Sequence, residues 1–395
     1  RQLRRSARNP RVRSFIGGRS RGLVLCTWPH VRQARCMQGH QLAAEIEAKI
    51  EARASNLLAR RGWRPTPLVF DSYGRAPVNG EPGWIRLLTR VLIMPPTSRR
   101  SAEGRSRGWR RYISVSAPNL PVRIRIGDTV HRARTEPGGY LDLMLPSDLA
   151  AGSHEIWVEV PGGSAPGRGH VHVVDPSIGR GLVSDVDDTV MITLLPSPLQ
   201  AFWNTFVMHE GQRRPVPGMA TFLERENRGF AVYLSTGAWN YAPVIREFLA
   251  RNDFPAGPLI MTDWGPSAQR WFRSGVEHKR SQLRRLREEF PELTWILVGD
   301  DGQHDPSIYA DFAAEFPESV DTVAIRTLSP AEHVAVGGVP VPLDEFEEFA
   351  EQVAGVQLSP VHHVEIPPSV RQLHGADGNA LVVATLKADP PKPAP

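Results

Sequence analysis

The chain has 395 residues, enough for two or three domains, and its 41% hydrophobic and 23% charged content is that of an ordinary globular protein. Net charge is +5 but unevenly spread: no Asp or Glu precedes Glu45, while Arg recurs from Arg1 to Arg35. Cys26 and Cys36 are the only cysteines, which excludes a disulfide framework and suits a reducing, cytoplasmic location; with no apolar run near the ~18 residues of a membrane span, any membrane contact is expected to be peripheral.

Residues 1–40 read as a basic disordered tail, and residues 41–62 as an amphipathic helix with Leu42, Ile46, Ile50 and Leu57 on one face. Cations at Arg60 and Arg61 and a stop at Gly62 end it. From 63 to 176 short alternating runs, punctuated by Gly, Pro and Asp, predict a small all-β sandwich-like domain. Its strand candidates are Trp84–Ile93, Tyr112–Val115, Val122–Ile126, Tyr140–Leu145, His154–Val160 and His170–Val174, with a Ser/Arg-rich loop over 95–111. From 177 to 330 the period changes. Apolar strands Gly181–Ser184, Phe230–Leu234, Pro258–Met261, Trp295–Val298 and Thr322–Ile325 alternate with helical stretches Tyr241–Ala250, Ser281–Glu289 and Pro306–Phe316. Such βα alternation predicts an α/β domain with a doubly wound parallel sheet. Residues 331–395 read as a partly disordered extension, with a helix over Leu343–Val353 and a proline-rich end.

Chemistry concentrates at the predicted strand ends. The first α/β strand runs into Asp185-Val186-Asp187-Asp188-Thr189, where crowded like charges call for a divalent cation with oxygen ligands. The second runs into Ser235-Thr236-Gly237, offering hydroxyls and backbone N–H groups. Lysine occurs only at 49, 279, 387 and 392, so Lys279, inside His278-Lys279-Arg280 at the start of a predicted helix, stands out in an arginine-rich chain. The fourth strand ends in Gly299-Asp300-Asp301-Gly302-Gln303-His304-Asp305. Acid, hydroxyl, lysine and acid, in that order, are the groups that phosphoryl transfer to a carboxylate requires.

On Ser184–Val190, Tyr233–Trp239 and Gly299–Tyr309 the sequence resembles the haloacid-dehalogenase (HAD) superfamily of phosphatases, and within it the catalytic domain of actin-patch-associated phosphatidate phosphatases and their bacterial relatives. The resemblance covers about 180–330. It implies a HAD-like fold and a Mg²⁺-dependent phosphatidate phosphatase, with Asp185 as nucleophile forming an aspartyl-phosphate. Asp187 would be general acid and base, and Ser235 and Lys279 would hold the phosphoryl oxygens. Thr189, Thr236 and Gly237 would support substrate binding. The implied metal set is Asp185, Asp187 (through its carbonyl) and Asp300, with Asp301 or Asp305 completing it and Asp305 preferred. The presence of both Asp185 and Asp187 disfavours a non-catalytic lipid-binding or scaffold role.

Each motif follows the last too closely for a large inserted domain, so little or no cap is expected, which favours a bulky or membrane-held substrate over a small one. Leu199, Phe202, Trp203 and Phe206 in 194–207 either dip into a bilayer interface or pack as a core helix. Trp239 and Trp264 either line the site's mouth or fill its rim. A soluble or protein-bound phosphate monoester is the alternative substrate, and nucleic acid is not expected as a partner because no aromatic-basic platform accompanies the basic tail.

Overall fold

The structure, a computed structural model, describes residues 58, 60–95, 115–192, 214–239, 242–262, 268–302, 304–329, 332 and 365–388. The tail, most of the 41–62 helix, the 95–111 loop beyond Pro95, segment 194–207, Trp264, the 343–353 helix and the proline-rich end therefore lie outside the described residues.

The first layer is built from β1 (Arg64–Val69), β2 (Ser72–Arg75), β3 (Gly83–Met94), β4 (Val115–Ser116), β5 (Pro121–Ile126), β6 (Thr129–Arg134), β7 (Tyr140–Ser147), β8 (Gly152–Glu159) and β9 (Gly167–Val174). A sandwich implies two separate sheets, but these nine strands form one hydrogen-bonded network, β1-β3-β2-β9-β8-β5-β6, with β4 and β7 also on β3. The pairing is antiparallel except for β2 with β9. The long β3 explains the connection: β1 and β2 occupy successive halves of one of its edges. Alternating side chains from β3, β5, β8 and β9 then meet in one apolar cluster that includes Leu87, Val91, Ile124, Ile156 and Val171. Strands β1, β2 and β6 had no strand signal clear enough to be named from sequence.

A single 3₁₀ turn, Pro176–Ile178, capped by Asp175 accepting from the Ser177 N–H at 2.9 Å, leads into the second layer. Here β10 (Arg180–Ser184), β13 (Ala231–Ala238), β14 (Leu259–Thr262), β15 (Thr294–Asp300), β16 (Val320–Arg326) and β17 (Arg371–Gly375) make a parallel sheet in the order β14-β13-β10-β15-β16-β17. A small antiparallel pair, β11 (Met191–Ile192) and β12 (Arg214–Pro215), stands beside β10. The helices are α1 (Met219–Glu226), α2 (Ala242–Arg251), α3 (Ala268–Glu289), α4 (Asp305–Glu315) and α5 (Gly378–Ala388). In α2, buried Ala242, Ile245, Phe248 and Leu249 recur at helical spacing and face the sheet. Strand β10 is buried along Gly181–Ser184, as a central parallel strand must be. Gly181 is required there, since a Cβ would lie 2.5 Å from the Trp295 ring.

Two expectations change. Lys279 does not begin a helix: α3 starts eleven residues earlier, at Ala268, so Lys279 is held in mid-helix. Within the extension 331–395, β17 adds the sixth strand to the sheet and α5 packs against it.

The layers share a core. Phe290 lies between Trp84 at 5.2 Å and Phe230 at 5.1 Å between ring centroids, and Tyr73 is 6.0 Å from Phe290. Around them Tyr73 Oη donates to Glu289 at 2.7 Å, Arg75 pairs with Glu292 at 2.7 Å, and Arg246 pairs with Asp71 at 2.7 Å. Arg86 bridges Asp142 and Glu289. Among the described residues no helix is long and apolar enough to cross a membrane.

Candidate active site

Strand order reverses at β10: the chain first adds β13 and β14 on one side, then β15, β16 and β17 on the other. A parallel sheet binds ligands in the crevice at the carboxyl ends where that reversal falls. Asp185 leaves β10 there, its N–H donating to the Val298 carbonyl at 2.9 Å, and Asp300 ends the adjacent β15. The chain turns back sharply after Asp185. Asp188 takes a left-handed φ of 56°, which Asp tolerates better than most residues, and its N–H donates to Met191 O at 2.9 Å. Asp188 thus serves the turn, and its carbonyl accepts from Arg326 Nη1 at 2.6 Å.

The predicted acids, lysine and hydroxyls converge. Lys279 Nζ donates to Asp185 Oδ1 at 2.6 Å and to Asp305 Oδ1 at 2.5 Å. Ser235 Oγ donates to Asp187 Oδ2 at 3.3 Å and accepts from the Gly237 N–H at 3.0 Å. Thr189 Oγ1 donates to Asp300 Oδ2 at 3.2 Å, so it ties the loop after β10 to the end of β15. The Gly302 N–H holds the other Asp300 oxygen at 2.8 Å. Thr236 is fixed through its carbonyl, which accepts from Thr262 Oγ1 at 2.8 Å. Of the two acids left open after Asp300, Asp305 joins the cluster, while Asp301 accepts from the Leu328 N–H at 2.8 Å. Trp239 is buried and stacked on Phe70 at 4.0 Å, which places it in the core between the layers.

Charge at this site is unbalanced. Burial pushes Asp185 well above the usual carboxylate range; Lys279 opposes this, while Asp305, Asp300 and Asp187 reinforce it. Burial, then the Asp188 charge, pushes Asp187 up to about 6. Burial, then Asp305 and Asp188, pushes Asp300 up to about 8. Burial pulls Lys279 down, but Asp185 and Asp305 outweigh it and hold the ammonium charged, above its ordinary value. One cation thus serves several buried carboxylates.

The residues fit a divalent metal. Carboxylate oxygens of Asp185, Asp300 and Asp305 lie within 4.8 Å of one another. At that separation two carboxylates in an effective dielectric of about 20 repel by about 3.5 kcal/mol. Asp187 Oδ1 and Asp305 Oδ2 are buried with no hydrogen-bond partner. An all-oxygen donor set with spare acceptors suits a hard cation such as Mg²⁺.

Sequence reasoning missed Arg326, at the carboxyl end of β16. It is 3% exposed and reaches Asp188 O, Ala376 O at 3.2 Å and Glu332 at 2.5 Å, so it locks the β10 turn to the C-terminal segment. A charged residue closing the apolar run Thr322–Ile325 was the available signal. Gly299, the first residue of the Gly299–Asp305 motif, has a role that the motif does not reveal: a Cβ there would lie 2.5 Å from Asp305 Oδ2, so its bare backbone lets Asp305 approach.

Residues 180–327, which contain every residue of this cluster, match the family described as the catalytic domain of phosphatidate phosphatase APP1. Phosphatidate phosphatase APP1 of Saccharomyces cerevisiae is 24% identical over 238 residues, covering 55% of this chain and 40% of that protein. An uncharacterized protein of Schizosaccharomyces pombe is 25% identical over 151 residues, covering 38% of this chain and 25% of that protein. The chain therefore spans less than half the length of either relative. A solved carbohydrate acetylesterase from Xanthomonas citri covers 67% of this chain and 68% of its own at 10% identity and a TM-score of 0.27. Residues 180–327 thus bear the resemblance to a phosphatidate phosphatase catalytic domain that the motifs at 184–190, 233–239 and 299–309 carry.

Proposed function

We propose that this chain is a Mg²⁺-dependent phosphatase of HAD type that hydrolyses phosphatidate to diacylglycerol and phosphate. The observation that carries this reading is the Asp185–Lys279–Asp305 bridge at the strand-order reversal, with Asp187 two residues on and bound to Ser235. The strand order β14-β13-β10-β15-β16 supports the doubly wound HAD assignment.

In this reading a carboxylate oxygen of Asp185 attacks phosphorus. The P–O bond to the glycerol oxygen breaks, and an aspartyl-phosphate forms. Asp187 gives its proton to the departing alkoxide. Its ordinary value raised to about 6 makes it a usable acid near neutral pH. The resulting carboxylate then takes a proton from water, whose oxygen attacks phosphorus and releases phosphate and free Asp185. Lys279 and the Ser235 hydroxyl would hold phosphoryl oxygens, with Asp305, bonded to the Lys279 ammonium, keeping it placed. Mg²⁺, held by Asp185, Asp300 and the Asp187 carbonyl with Asp305 in support, would neutralise charge on the transferring group.

The test is phosphate release from phosphatidate in detergent micelles, with and without Mg²⁺, for wild type beside Asp185→Asn. Metal-dependent release that disappears in the variant is expected. Release from an aryl phosphate but none from phosphatidate would reject the lipid substrate and keep the chemistry. No release from either, by folded protein, would reject both.

A further inference from the structure

The outward face of β5, β6, β8 and β9 takes no part in the site above. Alternation along β5 buries Val122, Ile124 and Ile126 and leaves Arg123 and Arg125 exposed. Residues directly opposite on neighbouring strands share a face. The register sets Arg123 opposite Arg132 on β6 and Glu159 on β8. It sets Arg125 opposite Val130 and Trp157, and Trp157 opposite Arg168 on β9. Arg134 lies across from Pro121, and Glu155 across from His170. The face therefore carries five arginines against Glu155 and Glu159.

Three features mark it as a surface made to meet something. Arg123 and Arg132 are like charges placed directly opposite, which costs sheet stability. Among the described residues, Arg123, Arg125, Arg132 and Arg168 form no ion pair. Second, the half-buried Trp157 ring has two guanidinium groups over it, Arg125 at 5.0 Å and Arg168 at 3.9 Å. On the far side of Arg125, Val130 is 55% exposed. Third, Arg123, Arg132 and Arg134 line a groove of about 630 Å³ with Pro121 and Pro161. Planar guanidinium groups match phosphate geometry, and a Trp and an exposed Val on the same face suit the boundary of headgroups and acyl chains.

We propose that this face docks the protein on an anionic lipid surface, its arginines meeting headgroup phosphates and Trp157 resting at the interface. The biological sense of this docking rests on the reading of the substrate as a membrane-held lipid phosphate. Nucleic acid is the weaker fit, because this face has a single tryptophan and no row of aromatics on which bases could stack.

The experiment measures binding of the full chain to vesicles of phosphatidylcholine alone and of phosphatidylcholine mixed with phosphatidylserine, which is not a phosphomonoester substrate. Wild type is expected to bind the mixed vesicles selectively, and less at high salt. The pair Arg123→Gln with Arg132→Gln is expected to weaken binding on the order of tenfold or more, and Trp157→Ala to weaken it independently. Arg123→Lys with Arg132→Lys should retain most of it. All variants should keep wild-type turnover of a soluble aryl phosphate, and the glutamine pair should melt no lower than wild type, since it removes a like-charge pair. Wild type indifferent to phosphatidylserine, or a glutamine pair that binds like wild type, overturns the proposal. So does capture of a single-stranded oligonucleotide through this face with no vesicle binding. Selective vesicle binding without phosphatidate hydrolysis would leave the docking surface standing and reject the substrate reading alone.

Discussion

Lys279→Met removes the single ammonium between Asp185 and Asp305. At 2.6 and 2.5 Å, each contact is worth about 6 kcal/mol of Coulomb attraction at an effective dielectric of about 20. Against this stands a desolvation cost of several kcal/mol per ion, so stripping one partner from such a buried cluster costs about 3–5 kcal/mol net. Melting should fall on the order of 10 °C at pH 8. The deficit is pH-dependent, with a defined sign. Lys279 is the charge that pulls Asp185 down, so its loss raises Asp185 further above the unfolded carboxylate value. The folded state then holds a proton that the unfolded state has released, and stability falls as pH rises above about 4. Thermal denaturation at pH 5 and pH 8, in chelator, reads this directly. The gap between Lys279→Met and wild type should widen from pH 5 to pH 8. On the proposed mechanism, in which Lys279 would hold a phosphoryl oxygen, turnover should drop by about 10²–10³ on any phosphate ester. A variant as stable as wild type at pH 8, or a gap of constant size, would refute the account of Lys279 as the charge that balances the acids.

The other expectations concern the same cluster. Asp187→Asn should lower turnover of an alkyl phosphate by about 10²-fold or more and of an activated aryl phosphate far less, since only the first leaving group needs a proton; equal losses would remove Asp187 from the acid role. With a pKa near 6 for Asp187, kcat/KM for the alkyl ester in wild type should decline as pH rises past that value, measured over a pH series with both esters. In chelated wild type, the raised Asp185 and Asp300, the latter up to about 8, make stability fall between about pH 4 and pH 8, and added Mg²⁺ should raise melting most at the upper end. A melting temperature insensitive to Mg²⁺ across that range would count against a metal at this cluster. Gly299→Ala should depress turnover while leaving the protein folded, because its methyl would press on Asp305 and Tyr309 at 2.5 and 2.8 Å; unchanged kinetics would show that Asp305 needs no such close approach.

Much of the site could be read in the sequence because its groups sit at strand ends, where apolar runs stop abruptly at polar residues. Asp185, Ser235 and Asp300 each follow such a run, and Lys279 was marked by the rarity of lysine. The beginning of α3 was not legible: the stretch before Ser281 mixes Arg, Ser, Gly and Trp without a clean apolar stripe. Strands β1, β2 and β6 escaped for a related reason. Proline interrupts β1, β2 has four residues, and β6 (Thr129–Arg134) has only Val130 and Ala133 as apolar residues, out of step with a period of two, on a largely exposed edge.

By itself the sequence determined the two kinds of layer, since period-2 and βα patterns are local properties of the chain, and it determined the order of the chemical groups. The tertiary structure decided everything that depends on distance between remote segments. It chose Asp305 over Asp301 as the acid beside Asp185, because α4 begins at Asp305 while the preceding turn commits Asp301 to the Leu328 N–H. It made β17 and α5 part of the parallel layer, because a strand's partner is chosen by register with a neighbour and not by its own residues. It also set Arg326 beneath the Asp188 turn and Arg123 opposite Arg132, placements that exist only once strands distant in sequence lie side by side.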